Sequence, residues 1–149
     1  MTAPRIDFYT LTETDRRARL VTACRLAEKA CEQGLRVAVR TGTAAETAEF
    51  DELLWTFSDG SFVPHGVWPS EPEVASVTPV LVGSSALPAT HRDVLINLAT
   101  DAPPDFSAYA RVCEVVGGDE DAKKAARHRW RAYRDAGCEP GLTEVPPRR

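Results

Sequence analysis

The order of apolar runs in the first third of the chain limits the possible folds most. Arg5–Leu11 alternates in part, through Ile6, Phe8, Tyr9 and Leu11, and reads as a strand. Asp15–Gln33 reads as a long helix with Leu20, Ala23, Cys24, Ala27, Ala30 and Cys31 facing inward, and Gly34 ends it. Val37–Val39 is a short apolar run of the kind a buried parallel strand carries. Strand, helix and strand in that order form a β-α-β unit. The chain has 149 residues, enough for one domain with a sizeable core. The expected fold class is α/β: a single three-layer domain with a mostly parallel sheet.

The rest of the chain continues the pattern less regularly. Thr41–Thr43 caps a second helix, Ala44–Trp55, whose apolar positions are Ala48, Leu53, Leu54 and Trp55. Ser58–Ser61 breaks it, and Phe62, Val63 and Pro64 form an apolar tripeptide in a loop. Val67–Thr78 is Pro-rich without periodicity and reads as an irregular connection. Pro79–Val82 and Val94–Leu98 read as strands, Phe106–Ala110 as a short helix, and Val112–Val116 as the last strand. Glu139–Arg149 contains three prolines and two terminal arginines and is expected to be a loosely ordered tail, which places the domain at residues 1–138 and the tail at 139–149.

Charge singles out one element. Lys123–Gly137 holds six Lys or Arg and a single acid, a formal +5 on a chain of −4, so the remainder carries −9. Asp119, Glu120 and Asp121 precede it and Gly137 follows, which suits a helix whose ends complement its dipole. At about 100° per residue, Ala122, Ala125, Ala126, Ala132, Tyr133 and Ala136 share a side with Arg129. Lys123, Arg127, Trp130 and Arg134 form a neighbouring stripe that Lys124 and Arg131 widen. Guanidinium groups around an indole suit an anionic peptide with an apolar or aromatic end. The same pattern fits a solvated basic face whose Trp closes the core edge.

Other chemistries lack their residues. No GxGxxG follows the first strand and no GxxxxGK[ST] occurs anywhere; Gly83-Ser84-Ser85 is a weak anion signal. His65, His91 and His128 have no metal-ligand spacing, and Cys24, Cys31, Cys113 and Cys138 fit neither a zinc module nor a disulfide framework. Asp51 and Glu52 adjoin on a helix and point apart. No catalytic residue, metal or cofactor is expected. No apolar run approaches the roughly 18–20 residues of a membrane span. The start, MTAPRIDFYTL, lacks the order of a signal peptide, so a cytoplasmic location is expected. One more cluster stands out: Trp55 and Phe57 followed by Phe62, Val63, Pro64 and His65. It either closes the bottom of the core or forms an apolar patch for a partner protein.

Taken together, Phe8-Tyr9, DELLW at Asp51–Trp55, SFVPH at Ser61–His65, RDVLINL at Arg92–Leu98 and ARHRWRAYRDAG at Ala126–Gly137 resemble the chi subunit family of bacterial DNA polymerase III. The resemblance spans nearly the whole chain. It implies a Rossmann-like fold without nucleotide chemistry and a place, through the small psi subunit, in the clamp-loader assembly at the replication fork. It implies no intrinsic enzymatic activity and contact with DNA only through partners. It also implies binding of the acidic, Phe-ending C-terminal tail of single-stranded-DNA-binding protein at Lys123, Arg127, Trp130, Arg131 and Gly137; the helical stripe itself adds Arg134, expected on the rim. Trp130 stands where the family often has Tyr. The psi surface would involve Trp55, Phe62, Val63 and Pro64. Some members bind an iron–sulphur DNA-repair helicase through that surface, which gives an alternative partner. Direct binding of single-stranded DNA by the basic helix is the other alternative, against which the net charge counts.

Overall fold

The computed structural model describes residues 3–147. Seven strands form one sheet, in the order β3-β4-β2-β5-β6-β1-β7, where β1 is Arg5–Leu11, β2 Val37–Arg40, β3 His65–Val67, β4 Val80–Gly83, β5 Val94–Asn97, β6 Arg111–Val116 and β7 Gly141–Val145. Every pairing is parallel. The helices are α1 (Arg16–Glu32), α2 (Ala44–Thr56), α3 (Pro72–Val77) and α4 (Glu120–Asp135), with a 3-10 turn at Phe106–Ala108. The expected three-layer α/β architecture is present.

The layers follow from the side-chain period of two. Val37, Val39, Val94, Ile96, Cys113 and Val115 face α1 and α2, and pack with Leu20, Cys24, Ala27, Phe50 and Leu54. Ile6, Phe8, Ala38, Leu95, Val112 and Val116 face the other way, onto Ala126 and Tyr133 of α4. A central strand buried on both faces must be apolar at successive positions, which is why VAV, VLV and VLI read as continuous runs. α4 is the long helix of its face, and its setting on the sheet decides where its basic residues go.

Three stretches differ from the sequence-based expectation. Val67–Thr78 holds the end of β3 and the helix α3, which starts with Pro72 in its first turn and buries only Ala75. Six residues are too few to show a helical period. The segment from Glu139 is not loose throughout: Gly141–Val145 lies parallel to β1, pairing Phe8 with Leu142 and Leu11 with Val145. It has one neighbour, so Pro140 just before it costs no ladder bond. The terminal arginines, 148 and 149, fall outside the described residues. On the helices, Thr47 and Phe50 are buried where Ala48 was expected, and Ala132 and Ala136 are exposed while Arg129 and Tyr133 are buried.

One buried polar group makes stability depend on pH. His91 is wholly inaccessible, with Nε2 2.6 Å from the Thr78 carbonyl oxygen and Nδ1 2.8 Å from Thr90 Oγ1. Burial holds its pKa below the ordinary histidine value. A depressed folded value means that its contribution is complete above the ordinary pKa and is lost as pH falls through the folded one. His91→Gln should therefore lose less thermal stability than wild type between about pH 7.5 and 5. Unchanged slopes in a thermal-melt series would contradict this.

Candidate binding site on the last helix

α4 starts where Asp119 caps it, its carboxylate accepting from Ala122 N at 3.1 Å, with Glu120 and Asp121 in the first turn. It stops at Gly137, whose φ of 91° is left-handed; Cys138 N then donates to Tyr133 O at 3.0 Å. Between these ends the inner face carries Ala126, Arg129 and Tyr133. Gly118, just before the helix, lies so close to the β1–α1 connection that a Cβ there would sit 2.4 Å from Thr12 O. This approach sets where α4 begins.

Below α4 lies a buried carboxylate. Glu114 on β6 is fully inaccessible and accepts from Arg129 Nε at 2.8 Å, Tyr133 Oη at 2.6 Å and Asn97 Nδ2 at 3.0 Å. Arg129 also donates to Thr100 O at 3.0 Å. Burial pushes the Glu114 carboxyl above its ordinary pKa, against the opposing pull of Arg129 and of the Tyr133 and Asn97 donors. The Tyr133 hydroxyl is raised by its own burial and by Glu114. Three side chains thus converge on one group, two of them from α4.

The next stripe of α4 lies toward the edge of the sheet. Trp130 is half-buried, its ring centroid 5.0 Å from that of Phe8, and Phe8 in turn meets Tyr133 edge-on at 5.9 Å. A cavity of about 350 Å³ opens there. Lys123, Ala126, Arg127 and Trp130 of α4 form one side, Phe8, Thr10 and Leu11 of β1 with Val116 and Gly117 form the floor, and Leu142 of β7 stands opposite. Lys123 Nζ is 3.9 Å from Glu120 Oε1, a loose surface pair. Among the described residues, Arg127, Arg131 and Arg134 have no ion-pair partner. An apolar floor, an indole wall and two cations at the mouth suit a ligand with an aromatic group next to a carboxylate.

The structure brings Lys123, Arg127 and Trp130 together in this cavity. Arg131 and Arg134 are exposed on α4 outside its lining, and Gly137 is the helix terminator. Leu142, 61% exposed, is a wall that sequence reasoning missed, since it lay in a segment read as loose. Glu114 was also missed, though a charged residue inside the run VCEVV was its signal.

The second region lies at the far edge of the sheet. Trp55 is 54% exposed and Phe62 69%, with ring centroids 6.1 Å apart. The His65 ring backs Trp55 at 4.5 Å, and its nitrogens approach Val63 O at 2.6 Å and Asp51 O at 3.0 Å. Val63 is buried and Pro64 half-buried, so they hold the loop that presents Phe62.

The crevice at the carboxyl ends of β5 and β6 contains an arginine. Arg19 Nε donates to Val115 O at 2.9 Å and Nη2 to Leu98 O at 3.1 Å. Among the described residues no three His, Cys, Asp or Glu side chains gather as a metal site, and no helix is long and apolar enough to cross a membrane.

The sequence profile of the family described as DNA polymerase III chi subunit, HolC, matches residues 3–141. Over 133 residues the chain is 40% identical to the DNA polymerase III subunit chi of Pseudomonas aeruginosa, covering 89% of this chain and 91% of that protein. It is 31% identical over 130 residues to the subunit of the same name from Haemophilus influenzae, covering 85% and 88%. For the Escherichia coli subunit the identity is 30% over 115 residues, covering 76% and 77%.

Proposed function

Because the chain belongs to the DNA polymerase III chi subunit family, we propose that it works in DNA replication as a non-catalytic adaptor with two separate docking faces. The cavity beside α4 takes the acidic, Phe-ending C-terminal tail of single-stranded-DNA-binding protein. The aromatic edge at Trp55 and Phe62 takes psi. The observation that carries the reading is the meeting of Lys123, Arg127 and Trp130 around one apolar floor. The terminal carboxylate lies between Lys123 and the Arg127 fork, the Phe ring enters between Trp130 and Leu142, and upstream acids pass Arg131 and Arg134.

The roles separate by position. Arg134 is exposed on the rim, so Arg134→Ala should slow association and flatten its salt dependence, with little change in dissociation. Stopped-flow binding of a tail peptide at two salt concentrations reads both rates; a faster dissociation instead would move Arg134 into the pocket. An oligonucleotide titrated in parallel distinguishes direct DNA binding, which would compete with the peptide.

The aromatic edge is tested independently. Exposed aromatic anchors carry much of a protein interface, and truncating one costs about 2 kcal/mol or more. Trp55→Ala and Phe62→Ala should each weaken psi capture and leave the tail-peptide affinity unchanged. Normal psi binding by both variants would sink the assignment, and a repair helicase would be the next partner to test on the same surface.

A further inference from the structure

We infer that Glu114 is a positioning residue for the tail cavity: by holding Arg129 and Tyr133 at once, it fixes the rotation of α4 that aims Arg127 and Trp130 into the cavity. The inference rests on the tail-binding reading of that cavity for its functional half. Its structural half stands on geometry alone.

Arg129 and Tyr133 are four residues apart, one turn of α4, and both end on Glu114, at 2.8 and 2.6 Å. Two directional contacts from successive turns define the azimuth of a helix in a way that apolar packing does not. Trp130 follows Arg129 directly, and Arg127 lies two residues before it. The neighbours of the two contacts are therefore the groups that line the cavity. Apart from Trp130, which stacks on Phe8, the rest of the packed α4 face is small: Ala126 is buried and Ala122 and Ala125 are half-buried. Alanines alone offer a shallow ridge over which a helix can roll.

Stability does not account for the cluster. A carboxyl whose folded pKa is raised contributes stability below its ordinary pKa and loses that contribution as pH rises through the folded value. Exchanging a buried charged cluster for apolar groups of similar bulk is often close to neutral in stability, so an apolar trio could fill the same space. Such a trio would lose the directional fix.

That difference makes the test. The triple variant Glu114→Leu, Arg129→Met, Tyr133→Phe replaces the cluster with apolar groups of similar bulk. Tyr133→Phe alone removes one donor and keeps the ring packing. Both are compared with wild type by thermal melting, by backbone amide exchange across residues 127–133, and by titration with an acidic, Phe-ending peptide. The triple variant should still melt cooperatively, lowered by no more than the one acceptor that Asn97 Nδ2 loses, yet exchange faster across α4 and bind the peptide roughly tenfold more weakly. Tyr133→Phe should show the same two changes at about threefold. Wild-type exchange and affinity in both variants, or in Tyr133→Phe alone should the triple variant not fold, would overturn the inference. Failure of wild type to bind the peptide would instead remove the tail-binding reading, and amide exchange would still decide whether Glu114 fixes the helix.

Discussion

Replacing Arg127 with Ala should weaken binding of the acidic, Phe-ending tail by roughly tenfold or more, since charge-assisted hydrogen bonds to a carboxylate contribute about 1.5–3 kcal/mol. Arg127 lines the cavity and has no ion-pair partner among the described residues. Its guanidinium is therefore free to meet a ligand without first breaking an internal pair. Arg127→Lys should also be impaired, because a single ammonium cannot reproduce two parallel N–H donors. Arg131→Ala, on an exposed position beyond the lining, should lose less. Isothermal calorimetry on the three variants ranks them directly. Equal small losses would mean a diffuse electrostatic surface without a carboxylate seat.

A comparable loss should follow from a change on β7. Leu142 faces the cavity from the side opposite Trp130, and most of its side chain is open to solvent before the ligand arrives. Leu142→Asp removes one apolar wall and places a negative charge where an acidic peptide must enter. Like charges brought together at an interface cost several kcal/mol, so the affinity should fall by roughly tenfold or more. The position is exposed on an edge strand, so folding should be unaffected. Thr143→Asp is the control. It adds the same charge to the same strand, but Thr143 lines the groove against α1 on the other face of the sheet. It should leave tail binding near wild type. Equal losses for both would show net charge acting at a distance, with no role for Leu142 as a wall.

These two residues illustrate what the sequence could disclose. Arg127 was legible because helical spacing places it on one stripe with Lys123 and Trp130, and that spacing survives folding unchanged. Leu142 was not, because its role depends on β7 reaching the edge of the sheet beside β1, a pairing across more than a hundred residues that no local pattern encodes. The fold itself was legible through β2, where strand and helix signals alternate cleanly. It was less so at α3, a single short helix introduced by proline. Glu114 lies between these cases. An acid inside a buried strand run requires partners, but which ones cannot be read from spacing. Arg129 was placed on the inner face of its helix by periodicity alone, without a reason for a charge to be there. The carboxylate beneath it supplies that reason.

Val63 carries a different lesson. Its neighbours Phe62 and Pro64 made the tripeptide look uniformly apolar, yet burial separates its residues. Phe62 faces solvent and Val63 enters the core against α1 and α2. Burial decides which of two adjacent apolar residues a partner protein can touch.

The proposed capture of a free carboxylate next to an aromatic side chain is tested most directly with two peptides of one acidic, Phe-ending sequence, one with a free C-terminal carboxylate and one with a C-terminal amide. Each is titrated calorimetrically into the wild-type chain. The free acid should bind at one site per chain, and the amide at least roughly tenfold more weakly, reflecting the lost charge-assisted bonds to Arg127 and Lys123. Equal affinities for the two peptides would contradict a carboxylate seat between these residues.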